Sequence, residues 1–224
     1  MTFSIVAHCA HTGMFGVAVA SSSPAVAARC AYAQAGVGAV ASQNVTDPSL
    51  GPRALELMFR GASAAEAIGI LKRTGKHFEY RQLLAVDAAG VSGIHSGPKA
   101  LGVWAEAKCE NVACGGNLLA NDGVPRAMVE AFQRSKGHLG DRLIAVMRAA
   151  LDAGGEAGPV RSAGMKLVRD VSWPVADLRC DWTEACPIEE LASLWEMYKP
   201  QLDAYVTRAI NPSNAPSYGV PGDE

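Results

Sequence analysis

Strand-like and helix-like segments arrive along this chain in blocks rather than in alternation, and that order most restricts the fold. Short apolar runs punctuated by glycine or turn residues occupy positions 3–9, 15–22 and 36–41. Two helical segments follow. The first, 52–59, has Pro52 at its opening turn and carries Leu55, Met58 and Phe59 on one face. The second starts at a capping box, Ser63-Ala64-Ala65-Glu66, ahead of Ala67, Ile68 and Leu71, and Gly75 closes it. A hairpin is expected next, 82–87 and 91–95 turned by Ala88-Ala89-Gly90, and then a strand over 111–117. Period-four apolar positions predict helices over 124–134 and 139–151, and 154–159 reads as a glycine-rich loop. Strands over 162–168 and 175–180 precede a helix opened by Pro187, whose apolar stripe is Ile188, Leu191, Leu194, Trp195 and Tyr198. Blocks of this kind do not build βαβ crossovers. They imply an α+β layered architecture of antiparallel sheets, with the helices near 52–73 on one outer face and those near 124–151 on the other.

No linker divides the chain, so residues 1–210 read as one domain, followed by a mobile Pro/Asn/Gly-rich tail over 211–224. At 224 residues it is long enough to bury a core without staples. Its formal net charge of -2, with scattered Lys and Arg, offers no electrostatic case for nucleic acid or an anionic membrane. No run approaches the ~20 apolar residues of a membrane helix and no signal peptide is recognisable, so the expectation is a cytoplasmic protein. The six cysteines lack paired C-x-x-C spacing and are expected to be free thiols. His8, Cys9 and His11 are expected at a surface turn and not at a metal, because strand alternation sends His8 and Cys9 to opposite faces. No cofactor is expected.

The residue most suggestive of chemistry is Thr2. A small second residue permits removal of Met1, which would leave a hydroxyl nucleophile whose own α-amine is the nearest base, the minimal machinery of an N-terminal-nucleophile hydrolase. A free α-amine has a reference pKa near ~8 and is partly neutral at physiological pH. Asn117, at the end of its strand behind Gly116, is suited to donate to a developing oxyanion. Gln43 and Asn44 follow a strand and suit polar contacts to a substrate, although Asn44 ahead of Asp47-Pro48 also suits a turn. His95 at the end of the second hairpin could contact substrate or act with Ser96. Asp87 reads as a hairpin-turn residue, and Arg161 with Ser162 could bind a carboxylate or lie on a solvated face.

Several runs carry a resemblance that spans nearly the whole chain in order. They are Thr2-Phe3-Ser4-Ile5-Val6-Ala7, Gly51-Pro52-Arg53-Ala54-Leu55, Val86-Asp87, Gly116-Asn117-Leu118-Leu119-Ala120, Arg161-Ser162-Ala163, and Asp177-Leu178-Arg179 with Pro187-Ile188-Glu189-Glu190-Leu191. Together they resemble a bacterial and archaeal family catalogued as domain of unknown function 1028. The opening hairpin and the helix pair look like the first half of a proteasome-subunit-like N-terminal-nucleophile fold. This resemblance implies a four-layer αββα sandwich and a homo-oligomer, a dimer or larger. Ser22 occupies the place where proteasome-type subunits carry an acidic residue that orients the nucleophile, and no counterpart of their lysine is found. The reading that follows is an amide hydrolase acting on a small metabolite or peptide, with Thr2, Ser22 and Asn117 as catalytic residues and Gln43, Asn44 and His95 as substrate contacts. One rival is a catalytically silent ligand-binding or structural oligomer of the same fold. The other is a Ser/His hydrolase using Ser96 or Ser22 with His95. If Thr2 acts, Ser22, Asn44 and Asn117 should meet around it in one cleft.

Overall fold

The computed structural model describes residues 1–222. Its strands form two antiparallel sheets. The larger has the order β10-β9-β2-β1-β8-β7, built from β1 (Thr2–Cys9), β2 (Met14–Ser21), β7 (Ala105–Cys109), β8 (Val112–Asn117), β9 (Ser162–Val168) and β10 (Ala176–Cys180). The smaller has the order β3-β4-β5-β6, from β3 (Ala31–Gln34), β4 (Gly38–Gln43), β5 (Gln82–Asp87) and β6 (Ser92–Ser96). A short helix α1 (Ala27–Cys30) leads into β3. The longer helices are α2 (Leu50–Phe59), α3 (Ala64–Thr74), α4 (Val124–Arg134), α5 (Leu139–Asp152), α6 (Pro187–Tyr198) and α7 (Leu202–Ile210).

Three buried apolar clusters follow from strand alternation. Phe3, Ile5 and Ala7 leave one face of β1 and pack with Met128 and Phe132 of α4, Leu143 and Met147 of α5, and Leu191 and Trp195 of α6. Val6 leaves the other face. It joins Val17, Val19 and Ala113 of the larger sheet and Ala39, Ala41, Leu84 and Val86 of the smaller one, so this cluster draws on both sheets. Val40, Leu83 and Ala85 then pack with Leu50, Leu55 and Met58 of α2 and Ile68 and Leu71 of α3. The abundance of Ala and Val on the strands lets these layers approach closely.

Local signals read from the sequence recur in detail. Ser63 caps α3 by accepting from the Glu66 amide while the Glu66 carboxylate accepts from the Ser63 amide, a reciprocal capping box. Asp87 goes further than a turn residue. Its Oδ1 accepts from the amides of Ala89 and Val91 at 3.0 Å each, and its Oδ2 accepts from Ala64 at 2.7 Å, anchoring the start of α3 to the hairpin. Arg161 is spent on Glu184, and the Ser162 hydroxyl donates to the Ser23 carbonyl at 2.6 Å while accepting from Val26.

Four elements are absent from the sequence reading: α1, β3, β7 and α7. Both strands are short sheet edges rich in alanine, Ala31-Tyr32-Ala33-Gln34 and Ala105-Glu106-Ala107-Lys108-Cys109, so pairing with β4 and β8 makes them strands where propensity alone does not. Pro200 sits in a 3-10 turn, Lys199–Gln201, that separates α6 from α7. His8 is buried, stacked on Phe15 with its Nδ1 2.8 Å from Asn111 Oδ1, because β1 runs on through Cys9. All six cysteines are free. In the C-terminal segment Arg208 donates to the carbonyls of Pro216 and Ser217 and lies over the Tyr218 ring; residues 223–224 of the expected tail lie outside the described residues.

Candidate functional site

The cluster shared by the two sheets turns polar at one end. The strand faces that carry Val6, Val19, Ala113, Ala41 and Leu84 into it end, two or four residues further along, in Ser4 and Thr2, Ser21, Gly115 and Asn117, Gln43, and Gln82. Register aligns these ends. Thr2 is the ladder partner of Asn117, Phe3 pairs with Ala20 so that Thr2 adjoins Ser21, and Gln82 pairs with both Gln43 and Ser96. Ser4, Ser21, Gln43 and Gln82 are fully buried, while Thr2 is 8% and Asn117 2% exposed, so every polar atom here needs a partner.

The partners form two linked groups. The Ser4 hydroxyl donates to Gln43 Oε1 at 2.7 Å, and Gln43 Nε2 donates to Gln82 Oε1 at 2.8 Å and to the Gly115 carbonyl at 3.2 Å. Asn117 Nδ2 donates to the same Gln82 Oε1 at 3.2 Å, while Gln82 Nε2 donates to the Gly116 carbonyl and to Ser96 Oγ. The second group surrounds the chain start. The hydroxyls of Thr2 and Ser21 both donate to the Met1 carbonyl oxygen, and they lie 3.3 Å apart. The Ser23 amide donates to Ser21 Oγ at 3.1 Å.

Ser22 follows the end of β2 and, among the described residues, makes no hydrogen bond to this group. Its amide instead donates to both carboxylate oxygens of Glu156, at 3.2 and 3.1 Å. Glu156 is 6% exposed and lies on the 154–159 loop, which is stitched to the chain beyond Asn117 by a Leu119–Glu156 bridge and by the Ala157 amide on the Leu118 carbonyl. Burial pushes its carboxyl up to about 7, against the Met1 amine and the Ser22 N–H, which favour the charged form.

Backbone strain gathers at the same end. Asn44 (φ 58°), Val45 (φ 48°) and Leu118 (φ 51°) directly follow Gln43 and Asn117, and a β-branched residue at positive φ is a true outlier. Asn44 holds the turn in place. Its Nδ2 donates to the Tyr80 carbonyl and its Oδ1 accepts from the Leu101 amide at 3.1 Å, while Arg81 donates to the Val45 carbonyl. His95 faces away from the polar network, with Nε2 3.0 Å from the Phe78 carbonyl and its ring tilted on Phe78, whereas Ser96 faces Gln82 and donates to Glu106. Alternation along β6 therefore separates His95 from Ser96.

Of the residues singled out in the sequence, Thr2, Asn117 and Gln43 come together. Ser22 meets the site through Glu156, Asn44 ties the adjoining loops, and His95 lies on another face. Ser4, Ser21, Gln82 and Glu156 complete the arrangement without having been foreseen. The all-apolar run from Gly16 to Ala20 hides the inward phase that would separate Ser21 from Ser22, and a lone Glu in a glycine-rich loop carries no periodic signal.

A mixed α+β chain with two antiparallel sheets and a buried polar cluster beside its first residues is thus defined. The chain belongs to a family of unknown function, DUF1028, whose model matches residues 2–191. It is similar to protein SPO2555 from Silicibacter pomeroyi, a crystal structure of the same family, with TM-score 0.81 and 28% identity over 88% of each chain. A fainter likeness, TM-score 0.40 and 10% identity over 91% of this chain and 97% of the other, links it to Anbu (ancestral beta-subunit) from Yersinia bercovieri. No curated protein matches it. Among the described residues, no helix is long and apolar enough to cross a membrane, and no group of three or more His, Cys, Asp or Glu side chains could hold a metal ion.

Proposed function

We propose that this protein is an N-terminal-nucleophile-type hydrolase that cleaves an amide bond of a small metabolite or peptide. On this reading the three apolar clusters are the interfaces of a four-layer αββα stack, and Thr2 becomes the first residue once Met1 is removed. One observation carries the proposal: the Thr2 hydroxyl sits at the buried polar end of the cluster shared by the sheets, on the same carbonyl oxygen to which Ser21 donates. A hydroxyl and a second donor on one carbonyl oxygen are the elements that acyl transfer uses.

Thr2 Oγ1 would attack the substrate carbonyl carbon after giving its proton to the Thr2 α-amine. The C–N bond then breaks, the leaving amine takes that proton, and water hydrolyses the resulting Thr2 ester. Ser21 replaces Ser22 as the hydroxyl beside the nucleophile. Asn117, whose Cα is ~5 Å from that of Thr2 as a ladder partner, is the candidate amide donor to the oxyanion, by exchanging its bond to Gln82. Gln43 holds Gln82, and Asn44 fixes the rim.

The test is labelling by an amide-mimicking electrophile, with the site mapped by peptide mass. Modification at Thr2 in protein lacking Met1, abolished in Thr2→Ala, is expected; modification that persists in Thr2→Ala refutes the assignment. A catalytically silent ligand-binding protein is the second reading, favoured because Gln43, Gln82 and Asn117 already satisfy one another. It predicts no acylation of protein whose Thr2 amine is shown by intact mass to be free.

A further inference from the structure

The residue ahead of Thr2 lies against one wall of a cavity. The Met1 side chain lies against Gly158, where an added Cβ would come within 3.1 Å of Met1 Cε and 3.5 Å of Sδ. Gly158 and Glu156 line a cavity of about 310 Å³ whose other walls include Leu151, Gly154, Val160 and Cys186. That volume suits one small side chain. Apart from Glu156, the lining side chains are uncharged, and the Glu156 carboxylate accepts from the Ser22 amide. The Met1 thioether meets Gly158 and its carbonyl meets Thr2 and Ser21, while Glu156 stands two residues before Gly158 on the same loop.

We propose that this cavity is the acyl-side pocket of the site and selects amides of α-amino acids that carry a free ammonium group and an unbranched apolar side chain, such as methionine or norleucine. The proposal rests on the Thr2 reading for turnover but not for binding. An acyl group on Thr2 nitrogen and one on Thr2 Oγ1 are related by a five-membered ring, so a substrate acyl group attached to the hydroxyl reaches the region that Met1 borders. Glu156 would accept the ammonium group in a charge-assisted bond. Gly158 leaves room for the side chain, and an acyl group without an amine would bring no charge to meet the buried carboxyl.

The experiment uses protein released from a cleavable N-terminal fusion so that Thr2 comes first, with L-methioninamide and N-acetyl-L-methioninamide as calorimetric probes. The free-amine probe should bind at least tenfold tighter than its acetylated form. Glu156→Gln should erase that ratio, and Gly158→Val should weaken both probes. Equal affinity of the two probes for wild-type protein overturns the proposal even if a variant fails to fold, as does absence of binding to protein that the electrophile labels at Thr2. Binding with the expected ratio but no hydrolysis of L-methionine p-nitroanilide supports the pocket and counts against the Thr2 hydrolase.

Discussion

Replacing Glu156 by Gln should change how stability depends on pH. The folded protein holds this carboxyl at about 7, against 4.5 for an ordinary glutamate, because burial strips its water at a cost that the Met1 amine and hydrogen bonds from Ser22 offset only in part. A shift of this size corresponds to about 3 kcal/mol, taking ~1.4 kcal/mol for each pH unit. The sign follows from proton counts. Below ~4.5 both states hold the proton, and above it the unfolded chain releases its proton while the folded chain keeps it until about 7. The wild-type unfolding free energy should therefore fall across that window relative to Glu156→Gln, by about 3 kcal/mol in all, and run parallel above it. Urea unfolding from pH 4.5 to 8, on protein whose intact mass shows Met1 in place, isolates the term because all other titrating groups are common to both chains. Curves that run parallel between about pH 5 and 7 would show that the carboxyl is already charged in the folded state there and that the amine and the Ser22 hydrogen bonds offset burial.

Gln82→Leu removes the acceptor shared by Gln43 and Asn117 and should cost at least about 2 kcal/mol by chemical denaturation, since the buried Asn117 amide loses its acceptor and Gln43 Nε2 keeps only the Gly115 carbonyl; a loss below ~0.5 kcal/mol would mean that the network does not support the fold. Ser63→Ala breaks the capping box of α3 and should cost about 1 kcal/mol, mostly recovered in Ser63→Gly. Gly51→Ala places a Cβ 2.1 Å from the Tyr32 ring and should cost about 1–3 kcal/mol, with the penalty relieved when Tyr32 is also replaced by Ala. Asn117→Ala should slow acylation of Thr2 by roughly 100-fold or more if its amide meets the oxyanion, and an unchanged rate removes it from that role.

The elements legible in the sequence were those whose local signals agree with their tertiary setting. The α3 capping box, the Asp87 hairpin and the period-four helices α4 and α5 announce themselves because one segment contains both the pattern and its cause. The edge strands β3 and β7 did not, since their strand character comes from β4 and β8. The candidate site divides in the same way. Thr2 and Asn117 stood out at strand ends beside glycine or a chain start, and their pairing needs only the β1–β8 register. Gln82 was invisible because its role is to join two sheets, and Glu156 because 134 positions separate it from Ser22. Ser22 was favoured over Ser21 because a strand apolar on both faces carries no phase, and phase decides which hydroxyl turns inward.

The composition of the polar cluster limits which group can move a proton. Thr2, Ser4, Ser21, Gln43, Gln82 and Asn117 carry hydroxyls and amides that do not titrate near neutrality, and a cluster of neutral groups is the kind that can be buried once each finds a partner. Any general base at neutral pH must then be the α-amine that Thr2 would expose or the Glu156 carboxyl held near 7. Among the described residues, Glu156 accepts from the Ser22 amide, whereas the Thr2 and Ser21 hydroxyls both donate to the Met1 carbonyl. It is better placed to receive a substrate's charge than Thr2's proton. If that division holds, the acid limb of kcat/KM, near ~8 for a free α-amine, survives Glu156→Gln while the preference for free-amine substrates disappears. A limb lost together with the carboxyl would make Glu156 the base and leave the amine as a bystander.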